Sequence, residues 1–113
     1  MKIKLETKKK AIAYLVKRST LTREVSLEEM LHFQKYMIRF INKKERILGN
    51  GYSVLSHSEE YLHELAKKDG IQLPDFFSIV IHADRFWISD KWGENLHTDN
   101  CFWVSDKANH YED

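Results

Sequence analysis

Along the chain the apolar positions change period several times, and each change predicts an element. Lys2 to Glu6 alternate polar and apolar residues, which predicts a short N-terminal edge strand with Ile3 and Leu5 inward. Thr7 stands where it would cap a helix from Lys8 to Arg18, with Ile12, Leu15 and Val16 on one stripe. Ser26-Leu27-Glu28-Glu29 has capping-box spacing and opens the longest helical pattern. Leu27, Met30, Leu31, Met37, Ile38 and Ile41 recur there at three- and four-residue intervals, and Phe33, Tyr36 and Phe40 add an aromatic ridge. So broad an apolar surface predicts the central helix, packed on more than one side and closed by Gly49-Asn50-Gly51. Tyr52 to Leu55 reads as a short apolar connection. Ser56-His57-Ser58-Glu59 then reads as a second capping box for a helix from Glu59 to Lys68, with Tyr61, Leu62 and Leu65 on one face. Ile71 to Asp75 is a linker holding the only proline. It leads into Phe76 to Ile81, a β-branched run too short for a helix and predicted to be the central strand.

Two later stretches repeat one pattern. Residues 82–91 read His-Ala-Asp-Arg-Phe-Trp-Ile-Ser-Asp-Lys, and residues 97–107 read His-Thr-Asp-Asn-Cys-Phe-Trp-Val-Ser-Asp-Lys, with one residue inserted before Phe102. If the Phe-Trp bodies are extended, Phe86 and Ile88 share a face, Phe102 and Val104 repeat it, and Trp87 and Trp103 take the other. An antiparallel register that sends both Phe residues into one core pairs Trp87 with Trp103 and sets two indoles side by side. The join between the bodies contains Trp92 and spans roughly ten residues, against about 2–5 for most hairpin loops, and long loops on rigid sheets tend to carry function. The expected whole is a single α+β domain over residues 1–113: an N-terminal strand, three helices, and a C-terminal antiparallel meander of about three strands built on the duplicated element.

Composition narrows the class. With 42% hydrophobic and 12% aromatic residues in 113, the chain is expected to fold around one core. No apolar run approaches the ~20 residues needed to cross a bilayer, and charges interrupt the N-terminus, so a cytoplasmic protein is expected. The single cysteine, Cys101, excludes an internal disulfide and reads as a small packing residue.

Charge divides the chain. Residues 1–50 hold thirteen Lys and Arg against five Asp and Glu, a balance of +8, whereas residues 51–113 hold five against twelve, a balance of −7; together they give the whole-chain value of +1. Either the two halves neutralise each other across the fold, or one of them meets a charged partner.

Three kinds of chemistry compete for these residues. Trp87, Trp92 and Trp103, with Asp90 and Asp106 on a polar rim, resemble the centre of a protein interface, where indoles act as anchors. A non-catalytic protein-binding module is therefore expected, with a protein partner, no cofactor, and a homodimer left open. In general character only, such a chain resembles the small regulators and inhibitors made by phages and mobile elements. Nucleic acid is the second candidate partner, through Lys8, Lys9, Lys10, Lys17, Arg18, Arg39, Lys43, Lys44 and Arg46, although no helix-turn-helix pattern accompanies them. The third is a small metal-dependent enzyme using the paired heads His82, Asp84, His97 and Asp99 as ligands, a weak signal because His-x-Asp arises readily by chance. No nucleophile signature, glycine-rich phosphate loop or dinucleotide fingerprint appears in the sequence.

Overall fold

Ser26 starts the helix that the rest of the chain packs around. Its hydroxyl accepts the Glu29 N–H at 3.1 Å while the Glu29 carboxylate accepts the Ser26 N–H at 3.2 Å, the reciprocal capping box expected there. In the computed structural model, which describes residues 2–89 and 95–99, the order is α1 (Leu5–Arg18), β1 (Thr20–Leu21), α2 (Leu27–Leu48), β2 (Tyr52–Ser56), α3 (Glu60–Lys68), β3 (Ile71–Gln72), β4 (Ser78–His82), β5 (Arg85–Ser89) and β6 (Asn95–Asp99). The domain is α+β. Its main sheet has the order β2-β4-β5-β6 with antiparallel neighbours throughout, and β1 pairs with β3 in a separate two-stranded ribbon.

One face of the main sheet is covered by helices. α2 lies on β2, and α1 lies on β4 and β5. The α2 face carrying Met30, Phe33, Met37 and Ile41 is buried, and below it lie Leu55, Ile79, Ile81 and Phe86 from the sheet, with Ile12 and Leu15 from α1 and Leu62 from α3. The Ser53 hydroxyl, fully buried, donates to the Ile41 carbonyl at 3.0 Å and ties β2 to α2. Phe86 is in the core, as the alternation of its strand predicts.

Several expectations are corrected. Lys2 to Glu6 is not a strand: Ile3 is buried, but its N–H donates to the Glu45 carboxylate at 2.7 Å rather than to a ladder, and α1 starts at Leu5. Thr7 is therefore not a cap. It lies in the first turns of α1, fully buried, and its hydroxyl has no hydrogen-bond partner among the described residues. With the helix beginning earlier, Glu6 occupies the first turn and accepts an ion pair from Lys10 at 3.1 Å, so the lysine run does not sit at the positive end of the dipole. The second capping box is also absent. Ser56 closes β2, and α3 is preceded by Glu59 without a side-chain cap. Tyr52 to Leu55, expected as a connection, forms most of β2, and Ile71 and Gln72 of the expected linker form β3.

The first copy of the repeat lies largely within β5. Trp87 is opposite Val80 on one side and His97 on the other; its expected pairing with Trp103 lies outside the described residues. The second Phe-Trp body, with Cys101, lies outside the described residues.

Two substitutions test this architecture. Gly49 ends α2 at φ 73°, ψ 176°, a region open essentially to glycine alone, and a methyl group there would meet nothing within 4 Å. Gly49→Ala should therefore lower unfolding free energy by about 1–3 kcal/mol through backbone strain alone, read from denaturant midpoints. Thr7→Val keeps the shape of the side chain and removes a buried unpaired hydroxyl, and should raise stability by about 1 kcal/mol; a loss of similar size would mean the hydroxyl is satisfied.

Candidate functional site

Burying alternate residues of a sheet on one side leaves the intervening ones on the other. β2 presents Tyr52, Val54 and Ser56, and β4 presents Ser78, Val80 and His82. Pairing aligns these into rows: Tyr52, His82, Arg85 and Asp99; Val54, Val80, Trp87 and His97; Ser56, Ser78, Ser89 and Asn95. Tyr52 is 41% exposed, Arg85 is exposed, and Val54 and Val80 are half-buried. The Tyr52 and His82 rings meet at 5.3 Å between centroids. Among the described residues no helix lies on this face.

The residues singled out in the sequence are distributed as follows. Trp87 takes the register position in the row of Val54 and Val80. Asp90, Trp92, Trp103 and Asp106 lie outside the described residues. The two His-x-Asp heads occupy different structures: His82 ends β4 and Asp84 belongs to the two-residue turn before Arg85, whereas His97 and Asp99 both lie within β6. Asp84 approaches Arg85 Nε at 3.6 Å. β5 intervenes between the two heads, which puts their strands about 10 Å apart. Among the described residues there is no group of three His, Cys, Asp or Glu suited to hold a metal ion.

The basic residues divide between internal and outward roles. Lys8 is mostly buried. Its ammonium donates to Asn42 Oδ1 at 2.5 Å and pairs with Glu45 Oε1 at 3.1 Å, beside a hollow of about 550 Å³ that Lys2 and Arg46 also line. Lys10 is held by Glu6, and Lys44 pairs with Glu59 at 2.8 Å. Lys17 and Arg18 lie near the Tyr14 ring at the end of α1. Lys9 is half-buried on α1. Arg39, Lys43 and Arg46 are exposed on α2, with Lys35 on the same stripe. Of the nine cations expected to form one nucleic-acid face, Lys8, Lys10 and Lys44 are thus engaged by carboxylates.

A second concavity lies between α2 and α3. Tyr36, Phe40, Tyr61 and Leu65 form its apolar walls, Arg39 and Lys43 its charged rim, and its volume is about 290 Å³. Arg39 stands 5.7 Å from the centre of the Tyr36 ring, Lys44 stands 5.5 Å from that of Phe40, and His32 packs edge-on against Tyr36 at 4.6 Å while pairing with Asp69 at 3.0 Å. Sequence reasoning identified the Tyr36 and Phe40 ridge but assigned it to packing. The missed signal was Arg39 and Lys43 interleaved with it, facing Tyr61 and Leu65 one turn apart on the next helix.

Comparison with protein-family models, with curated proteins and with solved structures found no match to this chain.

Glu45 joins the N-terminal segment, α1 and α2. Burial acts to raise its pKa, but the Ile3 N–H and the Lys8 ammonium, with Lys2 nearby, outweigh that and hold the carboxyl below its ordinary value. A depressed folded-state pKa adds stability that is present above the unfolded value of about 4.3 and is lost as pH falls through the folded value. Glu45→Gln should cost about 1 kcal/mol at pH 7, and the gap between variant and wild type should close as pH falls below about 4. A gap independent of pH in chemical denaturation would show that the charge contributes nothing.

Proposed function

We propose that this chain is a small non-catalytic protein-binding module that takes its partner on the open face of the main sheet. One observation carries this: Tyr52, Val54, Val80 and His82 converge on a single face, into whose rows the register brings Trp87 and Arg85. A partly apolar face with aromatic, imidazole and guanidinium groups is the composition of an interface centre, where Tyr, Trp and Arg dominate. Occupying a partner's surface is how small regulators and inhibitors act, and we extend the reading to a regulator or inhibitor of the phage type. The basic residues support nucleic acid less well, since Lys8, Lys10 and Lys44 are already engaged by carboxylates.

Photo-cross-linking in the native host tests this. A benzophenone side chain placed at Val80 should capture a defined protein, while the same group at Glu28, exposed in the first turn of α2, should not capture it. Val80→Lys should weaken that complex by about tenfold or more with the melting temperature little changed. Capture of that protein from position 28 alone would overturn the proposal.

A further inference from the structure

The groove between α2 and α3 lies apart from the open sheet face, and its chemistry is different. Its floor is apolar and aromatic, and the cations on its rim, Arg39 and Lys43, have no acidic partner among the described residues, although Lys44 beside them has one in Glu59. Tyr61 is 61% exposed at one wall, and Leu65, one turn on, is half-buried. A volume of about 290 Å³ is at the lower limit of pockets that enclose a drug-sized molecule, roughly 300–1,000 Å³. A groove of that size suits one large apolar side chain presented by a longer partner.

We propose that this groove docks a short acidic peptide segment of a partner protein, one apolar side chain seated among Tyr36, Phe40, Tyr61 and Leu65 and carboxylates flanking it on Arg39 and Lys43. Charge complementarity selects the occupant. Lys35 and Arg46 extend the basic stripe along α2, so carboxylates on either side of the anchor meet positive charge. A nucleic-acid strand fits less well, because its phosphates continue on both sides of any base, whereas α3 carries Glu60 and Glu64, both exposed, next in sequence to the wall residues Tyr61 and Leu65. Acidic groups on one wall are tolerated by a peptide that places its carboxylates on the opposite rim.

The proposal is tested by fluorescence anisotropy on the full chain, using a labelled peptide of about ten residues with a few Asp and Glu flanking a central Phe and uncharged residues elsewhere, the same peptide with Ala in place of Phe, and labelled oligo-dT. The Phe peptide should bind, with affinity falling as salt rises. Replacing Phe by Ala should weaken it by about tenfold. Lys43→Glu should weaken it by at least about tenfold, while Lys4→Glu, the same change in net charge on an exposed residue of the N-terminal segment, should alter it by less than about twofold. Tyr61→Ala should weaken the Phe peptide and leave the Ala peptide unchanged. Circular dichroism melts establish that each variant is folded. Equal binding of the two peptides, equal effects of Lys43→Glu and Lys4→Glu, or tighter binding of oligo-dT that is lost in Lys43→Glu would each overturn the proposal, the last in favour of nucleic acid.

Discussion

The buried seam between α2 and the sheet decides where everything else goes. Phe33, Met37 and Ile41 are fully buried at four-residue spacing, and burying side chains of this size contributes about 1.5–3 kcal/mol each. Once that stripe faces the sheet, the helix has no freedom of rotation, and Arg39 and Lys43 point to solvent beside α3. The same commitment fixes the sheet. Leu55, Ile79, Ile81 and Phe86 must face the helices, and the period of two then sends Tyr52, Val54, Val80 and His82 to the far side. Both candidate surfaces are consequences of one hydrophobic contact.

How far the fold was legible depended on whether its determinants were local. α2 was legible because its start, its stripe and its stop are all set within the helix by Ser26 and Glu29, by a repeating apolar face, and by Gly49. Lys2 to Glu6 misled because five alternating residues fit a strand and also an extended entry to a helix, and the choice is made by Glu45, some forty residues away. Two capping-box spacings were equally good on paper. Ser26 is free to cap, whereas Ser56 is the last residue of β2, paired with Ser78, and its hydroxyl receives the Ser58 N–H at 3.3 Å. β2 itself was hidden because its partner, β4, follows more than twenty residues later.

The repeat shows the same limit from the other side. Two His-x-Asp heads with the same spacing take different conformations, one straddling a hairpin turn and one inside a strand, since strand pairing overrides local sequence. What survived from the first copy is the part that depends on alternation alone, the burial of Phe86. The pairing of Val80 with Val54 was not legible, because Val54 comes from the strand the sequence concealed.

The split of charge between the two halves is only slightly neutralised across the fold among the described residues. Lys8 with Glu45, Lys10 with Glu6 and Arg23 with Glu29 are pairs within the basic half, and only Lys44 with Glu59, together with the His32–Asp69 hydrogen bond, joins it to the acidic one. Those two joining pairs both connect α2 to the ends of α3. A half-exposed ion pair is worth at most about 1 kcal/mol, so neither holds the helices together by itself. Their effect is positional: Glu59 draws the start of α3 to Lys44, Asp69 draws its end to His32, and the two helices are held side by side with Tyr36 and Phe40 along the seam between them. Adjacent lysines therefore have different roles. Lys44 is consumed in setting the groove, and Lys43, one residue earlier and a hundred degrees around the helix, is left on its rim with its charge available.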